Sequence, residues 1–241
     1  MTDNYKNDFE KFLAHTNEKE VLFDEIVKEI ERCKTRSLLD IGAGDGRLSI
    51  PLSKKVTTYL AVEPKESFAE KLRAANIRTI QGTFPVEIPE TFDFVLSSHS
   101  ISYDKELYEA FLQKAWSLLN PEGTFLIITY RGQEDDWTNL MKNLGNNPID
   151  YNRAGFNKII ELLHSLGEVK MKKVATSVRT ENFEDMIQTL SFVASDGKPD
   201  KKNRFLQYRP RLEKILRSRY QDEAGYFFPF QHFFITTRSY K

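Results

Sequence analysis

A glycine-rich turn between an apolar segment and a helical segment constrains the fold of this 241-residue chain more than any other feature. The turn, Asp40-Ile41-Gly42-Ala43-Gly44-Asp45-Gly46, follows the apolar run 37–41 and precedes a helix predicted from about residue 46. Glycine suits such a turn because the chain bends sharply, the backbone approaches a ligand closely, and the N–H groups at the helix start face that ligand. The spacing is G-x-G-x-G, since Arg47 stands where the dinucleotide-binding pattern G-x-G-x-x-G needs a glycine. The turn predicts a cofactor-binding loop, although a tight turn without a ligand also accounts for it.

The remaining pattern predicts an α/β fold. Strands are expected at 37–41, 59–62, 77–81, 92–97 and 124–130, and helices at 18–33, from 46, at 65–75 and at 105–119. Continuous apolar strands that alternate with helices indicate a parallel sheet covered on both faces. After residue 130 the segments 135–144, 153–166, 183–194 and 204–220 read as helices, with only two further strands, 168–178 and 228–238. Because the last strand leads to no helix, we expect it to be inserted antiparallel.

An acidic residue at the end of the second predicted strand is a second candidate contact with a cofactor. Glu63 closes the run Tyr59-Leu60-Ala61-Val62 and stands about twenty residues after Gly42. A carboxylate there can accept hydrogen bonds from both hydroxyls of a ribose, at the sheet edge where ligands bind in open α/β sheets. A nicotinamide dinucleotide and S-adenosylmethionine both satisfy these two features, and the features by themselves leave both open.

Four segments in order, LLDIGAGDG, AVEP, FDFVLSSHS and LLNPEGTFLI, resemble the class I S-adenosylmethionine-dependent methyltransferases over about residues 37–130. The resemblance implies a doubly wound, seven-stranded, mostly parallel sheet whose last strand is antiparallel, and S-adenosylmethionine as the cofactor. It also implies a single methyltransferase domain over residues 1–241. That domain would comprise a helical lid (1–33), a cofactor-binding core (34–130), and substrate-side helical insertions with the last two strands (131–241).

The same resemblance assigns cofactor contacts to residues at the carboxyl ends of four strands. The residues at the end of the first strand are expected to contact the methionine and ribose side of the cofactor. Those at the end of the second strand are expected to bind the ribose hydroxyls. Those after the third strand are expected against the adenine, and the end of the fourth strand borders the methyl donor. Thr83 stands where many members carry an aspartate. The assigned residues are Asp40, Gly42, Gly44, Gly46, Glu63, Pro64, Thr83, Phe84 and Ser98.

A finer resemblance, to the histamine N-methyltransferase family, concerns the methyl acceptor. It rests on an aromatic N-terminal segment, a His-x-x-x-Tyr pair after the fourth strand, and a tryptophan after the fifth. That family uses the corresponding segments to enclose a small amine or imidazole, but the Asn that it places in the last strand is absent here. The substrate-binding residues implied are Tyr5, Phe9, Glu18, His99, Tyr103 and Trp137.

Methyl transfer requires alignment and exclusion of water more than a reactive side chain, because the sulfonium donor carries the reactivity. His99 and Tyr103 are the candidate catalytic residues, since either could orient a neutral nitrogen or receive its proton. Aromatic rings could hold a cationic or flat acceptor, and Glu18 could pair with a distal ammonium. Each residue also has a purely structural interpretation, such as a hydrogen-bonded loop histidine, a core tryptophan, or an acid that stabilises a helix N-terminus.

The charge balance excludes a strongly basic nucleic-acid binder, because 35 basic residues match 35 acidic ones. The balance hides two opposed segments. Residues 1–31 have a net charge of minus five, whereas residues 198–219 hold nine basic residues and two acidic ones. The basic segment keeps an RNA-binding or RNA-methylating protein as one alternative, although a solvated helix face explains it more simply. A cofactor-binding protein without catalytic activity is another.

Other site chemistries find little support in the sequence. The single cysteine, Cys33, and four histidines show no metal-ligand spacing, so we expect no metal. No apolar stretch approaches the ~20 residues of a membrane span, and no signal peptide is visible, so a cytoplasmic location is expected. The sequence thus predicts a monomeric enzyme that methylates a nitrogen, or an oxygen, of a small-molecule acceptor, with neither a membrane nor nucleic acid as its partner.

Overall fold

The computed structural model describes residues 3–101, 105–130, 135–145, 149–195 and 198–239; for residues 3–6, 105–106 and 149–154 it describes the backbone alone. The strands are β1 (Ser37–Ile41), β2 (Thr58–Glu63), β3 (Arg78–Gln81), β4 (Phe92–Ser98), β5 (Leu119–Thr129), β6 (Glu168–Thr180), β7 (Gln221–Asp222) and β8 (Gly225–Arg238). The helices are α1 (Asp3–His15), α2 (Glu18–Arg32), α3 (Ser49–Ser53), α4 (Glu66–Ala74), α5 (Lys105–Ser117), α6 (Asp136–Asn143), α7 (Ile149–Leu166), α8 (Phe183–Ser195), α9 (Pro199–Leu206) and α10 (Arg209–Arg219).

The sheet has the order β3-β2-β1-β4-β5-β8-β6, with the two-residue β7 paired to β8. The first five strands in this order are parallel, and β8 is antiparallel to β5. Strand β1 lies between β2 and β4. Its buried residue Leu39 pairs with Leu60 of β2 on one side and with Val95 of β4 on the other. The predicted α/β fold, with a mostly parallel sheet and an antiparallel last strand, is confirmed, and β7 adds a short strand to the seven expected.

The chain divides into two compact units that alternate along the sequence. Unit 1 comprises residues 1–21, 132–149 and 175–231, and unit 2 comprises residues 22–131, 150–174 and 232–241. Strands β6 and β8 each contribute residues to both units. The prediction of one domain in three consecutive segments stays a prediction.

Unit 2 contains the parallel strands and the core around them. Leu38 and Leu39 are both fully buried although adjacent strand residues point to opposite faces, as expected of a sheet covered on both sides. Aromatic and aliphatic side chains from β4, β5, α5 and α7, including Phe92, Phe125 and Phe156, continue this core. The buried core therefore fixes the positions of the carboxyl ends of β1, β2 and β4.

Unit 1 has a separate hydrophobic core, formed by residues of α1, α6, α8, α9, α10 and the β7–β8 hairpin. One helix was expected over 204–220, but the structure has α9 and α10 there. Pro210 explains the break, because proline has no N–H to donate within a helix and is tolerated in the first turn, where the structure places it.

Among the described residues, no helix combines the length and the apolar character that crossing a membrane requires.

Candidate active site

The glycine loop leaves the end of β1 and returns toward α3. Gly42 has a φ of +77° and Gly44 a φ of +63°. Residues that carry a Cβ rarely adopt this left-handed backbone region. Gly42 donates its N–H to the carbonyl oxygen of Val62 at 2.8 Å, which ties the loop to the end of β2. A Cβ added at Gly42 would lie 2.3 Å from the Cβ of Ser100, whereas no described atom lies within 4 Å of one added at Gly44. The first glycine is thus required by packing, and the second faces open space.

Glu63 at the end of β2 is buried beside this loop and holds it. Its Oε2 accepts the N–H of Gly44 at 2.8 Å, and its Oε1 accepts the N–H of Lys65 at 2.9 Å. Each carboxylate oxygen has two lone pairs, so both can accept a further hydrogen bond from a ligand hydroxyl. The carboxylate is therefore preorganised by two backbone donors.

A pocket of about 420 Å³ opens over the loop and Glu63, within the usual range for sites that hold small molecules. Its aromatic and aliphatic walls include Phe68, Phe84 and Phe111, and Leu107 lines it although more than half of that side chain is exposed. An apolar slot beside a fixed carboxylate suits a ligand with a flat base and a ribose. The described lining residues are Ile41, Gly42, Gly44, Val62, Glu63, Pro64, Phe68, Gly82, Thr83, Phe84, Pro85, Ser100, Leu107, Ala110 and Phe111.

Most residues predicted for the cofactor meet in this pocket. Six of them line it: Gly42, Gly44, Glu63, Pro64, Thr83 and Phe84. Three are not among its described lining residues: Asp40, Gly46 and Ser98. A Cβ at Gly46 would lie 2.9 Å from the side chain of Ile50, so this glycine serves packing against α3. The Oγ of Ser98 is buried and has no hydrogen-bond partner within the described parts of the chain.

Asp40 lies in a buried polar network next to the glycine loop. Its Oδ2 accepts hydrogen bonds from the hydroxyls of Ser49 and Tyr59, each at 2.6 Å. Ser49 Oγ also contacts the carbonyl oxygen of Ala43 in the loop. Burial, and then the charge of Asp40, raise the pKa of Tyr59 well above its ordinary value of 10. In this structure Asp40 supports the loop from within the fold, and its contact with a cofactor stays a prediction.

Ser100 is a pocket residue that the sequence reasoning missed. It donates its hydroxyl to the carbonyl oxygen of Ile41 at 2.5 Å and lies 2.8 Å from the hydroxyl of Ser97. Its Cβ occupies the space that a side chain at position 42 would need. No motif marks this serine, because its role depends on the pairing of β1 with β4.

His99, a predicted catalytic residue, belongs to a cluster of three rings within unit 2, formed with Tyr130 and His232. Its φ is +54°, an uncommon conformation for a residue with a side chain, and its N–H donates to the carbonyl oxygen of Ile128 at 2.9 Å. Its imidazole stacks on the ring of Tyr130, with centroids 4.6 Å apart and planes 27° apart. Its Nε2 lies 3.1 Å from Nδ1 of His232, a fully buried residue of β8.

The sequence reasoning also missed Tyr130 and His232. Tyr130 follows the last residue of β5, so the rule that carboxyl ends of parallel strands share one edge could have identified it. His232 could not be found in that way, because its position depends on the register of β8, in which Thr129 pairs with Phe233.

Three predicted substrate residues, Phe9, Glu18 and Trp137, belong to unit 1. The ring of Phe9 lies 5.8 Å from that of Phe192, and Trp137 lies about 6 Å from three rings, those of Phe205, Phe228 and Phe230. Glu18 is buried at the start of α2, where its Oε1 lies 3.0 Å from Nζ of Lys19.

These neighbours favour packing roles for the two aromatic residues, and their substrate roles stay predictions. Tyr103 and the side chain of Tyr5 lie outside the described residues.

Acidic partners reduce the charge of the basic segment 198–219. Four of its nine basic side chains form ion pairs in unit 1: Lys202 with Asp8, Arg204 with Asp200, Arg209 with Glu184, and Arg217 with Glu213. Asp200 and Glu213 belong to the segment and are already in its charge count, whereas Asp8 and Glu184 add negative charge from outside it. The segment is therefore less suited to following a phosphate backbone than the sequence count indicates.

Solved structures of similar fold include several methyltransferases. The YcgJ protein from Bacillus subtilis is 14% identical with a TM-score of 0.62, and the match covers 91% of this chain and 98% of that one. The N-methyltransferase NodS from Bradyrhizobium japonicum is 11% identical with a TM-score of 0.53, and the match covers 93% of this chain and 98% of NodS. A second NodS structure, in complex with S-adenosyl-L-homocysteine, is 9% identical with a TM-score of 0.51. That match covers 90% of this chain and 87% of the NodS chain. These likenesses show the fold.

The sequence itself carries the family assignment. No curated protein matches it significantly. A family model described as a methyltransferase domain matches residues 12–163, which include the glycine loop, Glu63 and His99. Because this match spans well over half of the chain, the protein belongs to the methyltransferase-domain family and is an S-adenosylmethionine-dependent methyltransferase.

Proposed function

We propose that this enzyme transfers the methyl group of S-adenosylmethionine to a nitrogen of a small-molecule acceptor. The observation that carries the proposal is the position of His99. It directly follows β4 and precedes the pocket residue Ser100, in a left-handed backbone conformation, with its ring hydrogen-bonded to a buried histidine. Strained residues of this kind cluster at functional sites. An oxygen acceptor is the second choice.

The cofactor pocket supplies the first requirement, which is alignment. Glu63 accepts the ribose hydroxyls, and the glycine loop allows the backbone to approach the ligand closely. Phe68, Phe84 and Phe111 form apolar walls around the base. Bound in this way, S-adenosylmethionine supplies a methyl carbon whose bond to sulfur breaks, with the electron pair left on sulfur, as the acceptor nitrogen forms the new N–C bond.

The ring cluster supplies the second requirement, a place for the N–H proton that the methylated, cationic acceptor releases. The imidazole of His99 can take that proton, and proton transfer is most efficient between groups of similar pKa. An imidazole or a weakly basic amine therefore fits better than a strongly basic alkylamine. The partly exposed ring of Tyr130, stacked on His99, offers a flat surface to an aromatic or cationic acceptor.

The finer likeness to histamine N-methyltransferases points to the same acceptor class, and it enters the proposal only as a reason to test amines and imidazoles first. The RNA alternative has the weaker basis, since acidic neighbours partner four of the nine basic side chains in 198–219.

A screen for release of S-adenosylhomocysteine tests the proposal. The purified protein is incubated with S-adenosylmethionine and, separately, with imidazoles, aromatic amines, alkylamines, phenols and a mixed RNA. We expect turnover with members of the first two groups and products that carry an N–CH₃ group by mass spectrometry. Turnover with phenols alone would assign an O-methyltransferase, and turnover with RNA alone would assign the alternative. Binding of the cofactor without turnover of any acceptor would favour an inactive binding protein.

A further inference from the structure

We infer that His232 is a positioning residue for methyl transfer: its imidazole holds the ring of His99 in the orientation and tautomer in which His99 receives the proton of the acceptor. This inference rests on the proposed function. The residue lies far along the sequence from every motif of the cofactor site, and only the pairing of β8 with β5 brings it to the carboxyl end of β4.

The geometry of the two rings carries the inference. Nε2 of His99 and Nδ1 of His232 are 3.1 Å apart, within hydrogen-bond distance, and the ring planes are inclined by 66°. Two ring nitrogens at this separation share one proton, so the tautomer of one ring dictates that of the other. His99 therefore cannot change tautomer independently of His232.

The surroundings restrict the motion of both rings. His232 has no exposed surface, and its ring centroid lies 4.9 Å from that of Tyr130. Tyr130 in turn stacks on the other ring of the pair, that of His99. A buried polar side chain in a strand costs free energy unless it is hydrogen-bonded, and a branched aliphatic residue would fill the same space without that cost. A histidine in this position is consistent with a function beyond packing.

The hydrogen bond also favours the product of proton transfer. Once the acceptor nitrogen has formed its bond to the methyl carbon, the methylated acceptor is a cation. One of its N–H protons, on the methylated nitrogen of an amine or on the second nitrogen of an imidazole, passes to His99, which then carries a proton on each ring nitrogen. Nε2–H of the imidazolium donates to Nδ1 of His232, and a hydrogen bond from a charged donor is stronger than one from a neutral donor. His232 takes up no proton in this step; it stabilises the imidazolium and fixes its direction.

Two amide substitutions separate this role from packing. The amide of Asn reaches about as far from the backbone as Nδ1 of histidine, and the amide of Gln about as far as Nε2. His232→Asn therefore keeps an acceptor facing His99, whereas His232→Gln and His232→Leu remove it. His164→Leu, at an exposed position in α7, is the matched control.

We expect His232→Gln and His232→Leu to lower kcat by about tenfold or more, since general-base catalysis contributes about 10²–10⁴-fold. The KM values for both substrates should change by less than about threefold, His232→Asn should recover most of the loss, and His164→Leu should equal the wild type. Equal kcat in all variants of an active enzyme, or a His232→Asn variant as slow as His232→Leu, would overturn the inference.

A measurement without turnover distinguishes failure of this inference from failure of the proposed function. The chain has only four histidines, so nitrogen NMR can follow the ring of His99 in the folded protein. We expect one tautomer in the wild type and in His232→Asn, and a mixture in His232→Gln. An unchanged single tautomer in His232→Gln would overturn the inference even if no acceptor were turned over. Absence of turnover in the wild type, with the tautomer change present, would instead count against the proposed function.

Discussion

Replacing Gly42 with alanine should damage the glycine loop, and a second substitution across the loop should repair part of the damage. The Cβ of the new alanine would lie 2.3 Å from the Cβ of Ser100, and the backbone at this position has a φ of +77°. Two separate costs arise, one from the collision and one from the conformation. Replacing Ser100 with glycine removes the first cost and leaves the second.

The two costs can be estimated from general magnitudes. A residue with a Cβ in the left-handed region costs roughly 1–2 kcal/mol relative to glycine. Forcing an extra carbon into a packed site costs about 1–3 kcal/mol. Gly42→Ala should therefore lower the free energy of unfolding by roughly 2–5 kcal/mol. In the Gly42→Ala background, Ser100→Gly should return about 1–3 kcal/mol, which appears as a favourable coupling in a double-mutant cycle.

Ser100→Ala is the matched control for the second substitution. Both replacements of Ser100 lose the hydroxyl that donates to the carbonyl oxygen of Ile41, but alanine keeps the Cβ that collides. Urea unfolding, followed by circular dichroism, gives the stabilities of the two double variants and their parents. Titration with S-adenosylhomocysteine shows whether affinity follows the same order.

The geometry requires that Ser100→Gly rescue Gly42→Ala and that Ser100→Ala fail to do so. If both replacements rescued equally, the hydroxyl rather than the Cβ would be responsible. If neither showed coupling to position 42, the packing of Ser100 on the loop would not matter for stability, and the explanation for Gly42 would be refuted.

Three further substitutions test other parts of the structure. Because its raised pKa keeps Tyr59 protonated in the folded chain when it ionises in the unfolded chain, Tyr59 should contribute a fall in stability of about 1.4 kcal/mol per pH unit above pH 10. Tyr59→Phe should remove that contribution from the slope in urea titrations, while Tyr220, whose pKa is also raised, keeps its own. An unchanged slope would contradict the buried contact of Tyr59 with Asp40. Leu107→Ala should leave the unfolding free energy within about 0.5 kcal/mol, since the side chain is exposed, but should weaken cofactor binding several-fold by calorimetry. Trp137→Ala should cost up to about 3–5 kcal/mol in urea unfolding. It should leave the affinity for S-adenosylhomocysteine unchanged, because every described residue of the pocket lies in unit 2.

The fold could be predicted largely because its strands carry a direct signal. Residues 37–41 and 92–97 carry apolar side chains on both faces of a strand, as a sheet covered on both sides requires, and both are strands in the structure. The segment 204–220 was harder, because its charge pattern continues through Pro210 as if one helix continued. The break follows from the missing N–H of proline, which a periodic pattern does not register.

The cofactor side of the site was predictable for a similar reason. The glycine loop and Glu63 lie at adjacent strand ends, and local sequence specifies both. Asp40 was predicted to contact the cofactor, and that contact stays a prediction; the structure adds that its carboxylate accepts hydrogen bonds from two buried hydroxyls. From residue types alone, a buried acid that supports a loop and an acid that contacts a ligand look the same.

The acceptor side depends on contacts between distant segments, and the sequence indicated only part of it. His99 could be proposed from its place after β4, but its partner His232 lies 133 residues further along the chain. Tyr130 joins them only because β5 ends beside β4 and β8 pairs with β5 in one register. A shift of that register by one residue would turn His232 to the other face of the sheet.

Calorimetric titration of the wild type and of Glu63→Gln with S-adenosylhomocysteine tests the central claim most directly. The wild type should bind one molecule per chain. Glu63→Gln removes the charge that we propose accepts hydrogen bonds from the ribose hydroxyls. It should weaken binding by about 10–100-fold, since a hydrogen bond to a charged group contributes ~1.5–3 kcal/mol. No binding by a folded wild type, or equal affinity of the two proteins, would contradict the assignment of this pocket to the cofactor.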